Sequence, residues 1–600
     1  MIYEILPMLL ISIIPGYLLL SLVKRFSDVE RLALSFFVTF SLFGASGLAL
    51  HLVGLPLMYS LLSIVPVLGI VLWMRQKITF KIPKAIIVIL IVALLARYLP
   101  QFLFDHPIVG DSYFHMDLAR TFTTDDWFKV NAVDTLWKGV SFPFPEEYRP
   151  PFFNFVMGFF FNLFGTSFEI AKFLNVIIGT VAILPAYLIA SKYGNHKIAI
   201  LVSLFLALNP LMINQSMEAE VRIFTVYLAL GSFYMFVKGK ENWAYSGVIL
   251  GLLYMTHYAP AAILVATYAA YMIMFDRKSV FSKSTAVIFV TFLLTVSPWL
   301  IRNYAEYGDP LYSSSKSVYM LTEFNRIVSL QPPTKEEFIS NIANDPADFA
   351  FTKLTNVYRT FFPAPLRGAD DTIWLDLDVS KNFNILLNPI GMIITIPVLF
   401  ASFLYMYPRM KSIGKEKNAM VIYVLIGLVM GFLFWNFRSP FTHNFLFQQI
   451  VILSICGFIF IDGMKKYHKK IIYVSIILLL MVQIPVYQAR LDARGDFGQE
   501  WITQNTDPDD VIMTRWTNVN LVNLMTDRKT VSMPFEEEDV VIDFARRNGV
   551  DYLIIDQLDL DTKKVSIESM STKLLLTGEY KIREPEYSRE RTNHYWIFKI

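Results

Sequence analysis

Asp105-His106-Pro107-Ile108-Val109-Gly110-Asp111-Ser112-Tyr113-Phe114-His115-Met116-Asp117-Leu118-Ala119-Arg120 begins where the apolar run 84–104 stops. With Asp125, the span 105–125 holds four carboxylates, beside two histidines and an arginine, in a chain that is 17% charged. Ionisable groups next to a bilayer are costly, so a cluster of them points to a functional site. Asp111 reads as its central group, and an ordinary solvated loop is the plain alternative. Asp105, Asp125 and Asp126 read as loop charges.

The rest of the chain says why a bilayer is in question. Of 600 residues, 55% are hydrophobic, with 51 Phe and 30 Tyr, and the mean hydropathy is +0.47. That composition fits a polytopic helical membrane protein, not a water-soluble one. A spanning helix needs roughly 20 apolar residues. Runs occur near 3–23, 32–53, 55–74, 84–104, 170–191, 198–213, 221–237, 243–257, 259–275, 284–301, 385–407, 419–437, 443–463 and 470–487. That predicts about fourteen spans, the 243–275 region being split at Thr256-His257-Tyr258-Ala259-Pro260. The short segment 150–165 reads as a helix lying in the interface. The N-terminus has no basic region and no cleavage site, so it reads as a first membrane helix. The single Cys456 excludes a disulfide framework and a cysteine metal site.

Charge orders the loops. One alternate set is basic, from Lys24-Arg25 through Arg277, Lys278 and Lys283 to Lys465, Lys466, Lys469 and Lys470. Cytoplasmic loops carry such an excess. The set predicts that both termini, the loops 105–168 and 302–384 and the tail 488–600 are extracytoplasmic. The expected parts are an N-terminal three-helix membrane module (1–83), a transmembrane catalytic part (84–487) and the tail. In the tail, strand-length runs alternate with helical stretches, which predicts a small α/β domain. Strands are expected at about 510–514, 529–533, 551–556, 578–586 and 594–600. No GxGxxG or P-loop occurs, so nucleotide binding is not supported, and nothing points to nucleic acid.

Sorted by side, the polar residues at helix ends converge outside: Asp111 and His115; Glu218, Glu220 and Arg222; His257 and Tyr258; Arg302; Arg438 and His443. No predicted helix is expected to carry a charge near its middle. A transporter tends to place ionisable sites at the midplane, so chemistry gathered at one face favours an enzyme with a lipid-anchored donor. With Asp111, Glu218 and Glu220 can bind a hard divalent cation, Mg or Mn, through oxygen; the alternative is that they cap the helix that follows. Arg302, Arg438 and His443 suit a phosphate, or anchor the interface. His257, Tyr258 and Arg222 are further candidates.

Four motifs resemble the GT-C superfamily of membrane glycosyltransferases. Gly110-Asp111-Ser-Tyr-Phe-His115 is similar to the first external loop of oligosaccharyltransferases, especially archaeal ones. Tyr148-Arg149-Pro150-Pro151, with the apolar stretch ending Leu163-Phe164-Gly165, is similar to their re-entrant or interfacial segment. Asn209-Pro210 leading to Ser216-Met-Glu218-Ala-Glu220 lies where the family has a second acidic motif. Glu500-Trp501-Ile-Thr-Gln-Asn505-Thr506 resembles the start of the oligosaccharyltransferase soluble domain. The resemblance covers 84–600. It implies Asp111 as catalytic residue and metal ligand, with a polyprenyl (dolichyl) phosphate-linked sugar as donor and a glycan, lipid or protein as acceptor. In place of the oligosaccharyltransferase Trp-Trp-Asp motif stands Thr514-Arg515-Trp516-Thr517-Asn518, without the Asp. A third acidic ligand is open among Glu323, Glu336 and Glu337. Single-sugar transfer is therefore favoured over en bloc transfer to asparagine. The competing classes are a lipid-linked-sugar flippase or other transporter and a non-catalytic scaffold.

Overall fold

The computed structural model describes residues 2–74, 81–104, 111–313, 329–350, 418–434, 443–473 and 499–556, with 566–585, 590–600 and isolated positions between 353 and 406, apart from single residues and pairs inside those spans. Most of the expected runs 385–407 and 470–487, Arg438, Glu323 and the boundary at 488 lie outside the described residues.

Helices dominate residues 2–307. Five of the described helices are long and apolar enough to cross a membrane: Glu4–Ser21, Asp28–His51, Phe168–Tyr193, Tyr258–Phe275 and Lys283–Tyr307. The helix Asp28–Leu52 starts at a capping box, in which the Ser27 hydroxyl accepts from the Glu30 N–H and the Glu30 carboxylate accepts from that of Ser27. The chain breaks between helices Trp243–Tyr254 and Tyr258–Phe275, at the expected place, with His257 as N-cap.

Three sequence expectations are corrected. The run 198–213 is not one helix: His196–Leu208 ends at Asn209, in extended backbone, and Pro210–Met217 starts afresh. Proline disfavours the helical conformation in the residue before it. The segment 150–165 is helical from Phe152 to Phe164, but Phe152 to Phe161 are all buried. Phe159 stacks on Phe43 with ring centroids 4.7 Å apart. A helix that is apolar all round is buried on all sides, not laid on a surface. Finally, helix Lys84–Phe104 carries the fully buried Arg97. Its guanidinium donates to Ala207 O at 2.9 Å, Leu206 O at 3.3 Å and Ser216 Oγ at 3.1 Å. The orphan carbonyls at the end of helix His196–Leu208 are thereby satisfied.

The tail contains a mixed sheet. Val511–Thr514 pairs in parallel with Lys529–Ser532 and with Tyr552–Asp556, and Glu590–Lys599 runs antiparallel between Tyr552–Asp556 and Leu575–Pro585. The edge beyond Lys529–Ser532 is taken by Ala132–Val133, from the loop that follows Asp111. Sequence reading missed this strand, because two residues carry no periodicity. Phe114, Leu118, Val133 and Phe144 share one core with Met513, Val531 and Leu553 of the tail. The tail is thus packed directly on the loop that carries Asp111.

Candidate active site

Asp111 opens the helix Asp111–Arg120, where a carboxylate complements the positive N-terminal end. Its side chain is 47% exposed, and one oxygen lies 3.5 Å from Arg149 Nη2. The same guanidinium reaches the buried Asp134 through Nη1, at 3.2 Å. It also lies over the Phe114 ring, 3.4 Å from the centroid. The Arg149 N–H donates to the buried Glu146 at 2.6 Å. Arg149 is therefore held from four directions, and Asp111 is the most exposed of its carboxylate partners.

His115 lies one helical turn from Asp111 and is buried. Its Nδ1 meets Asn154 Oδ1 at 2.8 Å. The Asn154 amide donates through Nδ2 to Pro150 O at 3.3 Å, which fixes its orientation. The oxygen therefore faces the ring and Nδ1 carries the proton. Burial, with the nearby Arg149, pushes His115 down to about 3. His257 is lowered to about 4, again by burial; Asp111 raises it, while Arg149 and Arg222 lower it further. Both imidazoles are neutral near pH 7. These mutual effects place Asp111, His115, Arg149, Arg222 and His257 in one electrostatic neighbourhood.

Glu218 and Glu220 are buried at the turn before helix Arg222–Lys238. Arg222 binds both, with Nη1 3.2 Å from Glu218 and Nη2 2.6 Å from Glu220. Asn175 donates to the carbonyls of both glutamates, at 2.8 Å for Glu220. A guanidinium therefore sits where a cation would bridge the two carboxylates. Among the described residues, no three His, Cys, Asp or Glu side chains gather as a metal-binding group. This donor set, already neutralised by arginine, does not fit the Mg or Mn expected from Asp111, Glu218 and Glu220. The glutamates brace the turn instead. Glu336 and Glu337 lie in the first turn of helix Lys335–Asn344, where Glu337 completes a capping box with Thr334.

Arg302 lies near the end of helix Lys283–Tyr307, over the rings of Trp299, Tyr307 and Phe128 at 5.0, 5.1 and 5.8 Å. No carboxylate pairs with it among the described residues. The Tyr307 hydroxyl donates to Pro145 O and Glu146 O, which ties this aromatic platform to the segment carrying Arg149. Tyr258 accepts from Trp299 Nε1 at 2.9 Å, so it supports the same platform. Arg438 lies outside the described residues, and His443 begins the helix His443–Asp462.

A family model for dolichyl-phosphate-mannose-protein mannosyltransferases matches residues 148–301, the segment that supplies Arg149, Asn154, Glu218, Arg222 and His257. Two solved structures with different partners share the architecture. The oligosaccharyltransferase AglB from Archaeoglobus fulgidus, in complex with an inhibitory peptide and a dolichol-phosphate, is 13% identical. That match covers 85% of this chain and 74% of that one, with TM-score 0.54. ArnT from Cupriavidus metallidurans, bound to undecaprenyl phosphate, is 10% identical over 85% of this chain and 97% of that one, with TM-score 0.51. The fold is that of the GT-C glycosyltransferases. The Archaeoglobus fulgidus enzyme is also known in complex with Zn and sulfate, a structure 13% identical with TM-score 0.51, covering 85% of this chain and 72% of that one. No curated protein sequence matches the chain. Five described helices long and apolar enough to cross a membrane fit a multi-pass membrane protein. Sequence reasoning missed Arg149, Asp134, Glu146 and Asn154 as members of the cluster around Asp111 and His115. Arg149 did carry a signal: it is a lone cation before two prolines and a long apolar run.

Proposed function

We propose that this GT-C chain transfers a sugar from a polyprenyl (dolichyl) phosphate-linked donor to a hydroxyl of a glycan, lipid or protein acceptor. The anomeric centre is inverted. The observation that carries this reading is the half-exposed Asp111, one oxygen of which lies 3.5 Å from Arg149, with two neutral histidines in its electrostatic neighbourhood. The family match to mannosyltransferases over 148–301 supports the donor class. The charge pattern of about fourteen spans supports an extracytoplasmic site in the cell membrane.

In the proposed reaction the acceptor hydroxyl attacks the anomeric carbon, and the bond from that carbon to the phosphate oxygen breaks. The lipid phosphate leaves with the electron pair, and Asp111 takes the hydroxyl proton. Arg302, with no carboxylate partner among the described residues, meets the charge that develops on the phosphate. Arg438 and His443 are further phosphate candidates from the sequence. His115 and His257, being neutral, can hydrogen-bond sugar or acceptor hydroxyls without competing for the phosphate.

The test is transfer of labelled mannose from dolichyl-phosphate-mannose by purified protein in membranes, with Asp111→Asn as control. Loss of transfer in a variant that still binds donor supports the reading, and full turnover by it sinks the assignment. A lipid-linked oligosaccharide diphosphate offered with an asparagine-containing acceptor peptide tests the oligosaccharyltransferase alternative. Movement of the donor across the bilayer without product would mark a flippase.

A further inference from the structure

A cavity of about 290 Å³ lies beyond the far end of the helix that Asp111 opens, apart from the cluster around Asp111 and His115. Its two walls are distant in sequence. One is the end of helix Asp28–Leu52 with the turn Gly54-Leu55-Pro56; the other is Phe122 to Trp127 with Asn162 of helix Phe152–Phe164. Both are held in place. In the first, the Gly54 N–H donates to His51 O at 3.0 Å and the Leu55 N–H to Leu50 O at 2.9 Å. Gly54 is left-handed, at φ +72°, which closes the helix in the usual glycine manner. In the second, the chain turns at Phe128, whose φ of +64° is rare for a bulky side chain. The Glu146 N–H donates to Phe128 O at 2.8 Å and pins that turn. Beside it, Trp127 stacks on His51, with centroids 4.0 Å apart and planes within 11°. Backbone strain of this kind gathers at functional segments.

The polar groups on the lining are mostly acceptors. Asn162 spends its Nδ2 on Phe122 O at 2.8 Å and Gly158 O at 3.0 Å, so Oδ1 is the atom it has left. The Thr123 and Thr124 hydroxyls donate to backbone carbonyls, and their oxygens remain able to accept. The Asp125 carboxylate, the Trp127 N–H and the His51 ring make no hydrogen bond among the described residues. No Lys or Arg lines the cavity among the described residues. Anionic ligands are held by such cations, so a phosphate or carboxylate does not fit. A cation cage presents open aromatic faces, and here His51 covers one face of Trp127. A neutral ring rich in hydroxyls does fit, because its O–H groups donate to Asp125, Asn162 and the threonines while one of its oxygens accepts from Trp127. The volume stands at the lower end of ligand pockets, about 300–1,000 Å³, which suits one ring and not a nucleotide.

We propose that this cavity is a sugar subsite that takes one neutral hexose of a glycan-bearing acceptor. This rests on the reading of the chain as a glycosyltransferase and names its acceptor as a glycan. The helix Asp111–Arg120 spans about 15 Å, so the ring bound beyond its far end is not the one that reacts at Asp111. It is a residue further along the same glycan. Asp125, a loop charge in the sequence, becomes its charged acceptor. A glycan on a lipid and a glycan on a protein share this chemistry.

The test uses the full chain in lipid nanodiscs, with Thr124→Trp to fill the cavity and Asp125→Asn to remove one charged acceptor while keeping the shape. The first readout needs no activity: saturation transfer by NMR from the protein to methyl α-mannoside, α-glucoside or α-galactoside. At least one of the three is expected to bind, with a signal that falls in Thr124→Trp and survives in Asp111→Asn. Asp125→Asn is expected to weaken the binding about tenfold. Binding by none of the three, a signal unchanged in both cavity variants, or tetramethylammonium bound in place of a sugar would each overturn the proposal. The second readout is transfer from dolichyl-phosphate-mannose. In Asp125→Asn the KM for mannotriose as acceptor is expected to rise about tenfold, with kcat unchanged and no change in the KM for methyl α-mannoside as acceptor. Equal shifts for the one-ring and three-ring acceptors would count against a separate subsite. The same comparison with a mannosylated lipid in the nanodisc tells a lipid-borne glycan from a soluble or protein-borne one, and a selective shift with either supports the subsite. If sugar binds the cavity and the parent protein mannosylates no acceptor, the glycosyltransferase reading fails and the cavity assignment stands.

Discussion

Arg120 ends the helix that Asp111 begins, and it donates to Asn523 Oδ1 in the tail at 2.5 Å. The same guanidinium bonds Asp117 at 3.0 Å and Asp527 at 3.1 Å. Asn523 is fully buried, and it donates in turn to Asn131 O at 3.2 Å. The helix of the candidate site is therefore pinned to the tail at its far end. Ten residues of helix span about 15 Å, so a shift at Arg120 is carried along a rigid rod to Asp111.

Replacing Arg120 by Ala removes the cation from Asp117, which is 2% exposed. Breaking a buried pair by deleting one partner is strongly destabilising, but Arg120 is 24% exposed, so solvent takes part of its role. The expected loss is about 2 kcal/mol, seen as a lower melting temperature in detergent. Asp527→Asn, which keeps a residue suited to the left-handed backbone at this helix end, should change little, because that carboxylate is 82% exposed and such pairs contribute about 0–1 kcal/mol. Equal effects of the two substitutions would count against this ranking.

The histidines give a pH dependence of stability. In the folded protein His115 is lowered to about 3 and His257 to about 4, against about 6.5 in the unfolded chain. Between pH 6.5 and 4 the unfolded chain therefore binds protons that the folded one does not. Stability from this source is present above pH 6.5 and is lost as pH falls through that window. Asp117 runs the other way: burial raises it to about 6, so its contribution to stability grows as pH falls from 6 to 4. Asp134, also raised by burial, acts in the same direction as Asp117, so the contributions are separated by substitution. His115→Gln is expected to raise the melting temperature at pH 4 relative to that at pH 6.5, and Asp117→Asn to lower it.

Much of the fold was legible in the sequence, because long apolar runs and proline breaks act locally. The split at His257, the strands of the tail and the clustering of Asp111 with His115, Arg222 and His257 all follow from residues near one another in the chain or from charge at helix ends. What was not legible depends on partners far apart in sequence. Arg149, Asp134 and Asp111 meet because a proline-rich turn and a two-residue strand fold over one helix, and neither has a periodic signature. Glu218 and Glu220 looked like metal ligands because their spacing does not reveal the arginine two residues on that folds back between them. Arg97 escaped a sequence reading that expected no charge near the middle of a helix, because the helix end it satisfies lies more than a hundred residues away.

Arg302 tests the phosphate assignment. Its charge faces three rings and, among the described residues, no carboxylate, so it is available to an anion. A hydrogen bond to a charged group contributes about 1.5–3 kcal/mol, or roughly ten- to a hundredfold in affinity. Arg302→Ala should raise the KM for dolichyl-phosphate-mannose by that factor. Arg302→Lys should recover only part, because an ammonium lacks the bidentate fork. An unchanged KM in Arg302→Ala would assign Arg302 to interface anchoring.

Gly158 tests how tightly the site depends on packing. A Cβ there would lie 2.6 Å from Ala119 O and 2.7 Å from Phe122 Cβ, so helix Phe152–Phe164 can approach helix Asp111–Arg120 this closely only because Gly158 has no side chain. The first contact is backbone and cannot rotate away, so Gly158→Ala must push the two helices apart. Overpacking of this kind costs about 1–3 kcal/mol. The same two helices carry His115 and Asn154, whose 2.8 Å contact fixes the tautomer of the histidine beside Asp111. A shift of a few tenths of an ångström lengthens that bond and frees the ring. Gly158→Ala is therefore expected to lower both the melting temperature and kcat. His115→Gln should lower kcat, and adding Gly158→Ala to it should cost less further activity than Gly158→Ala costs the parent. Independent, additive losses in activity would show that the close approach at Gly158 serves stability alone, with no path through His115 to the reacting carboxylate.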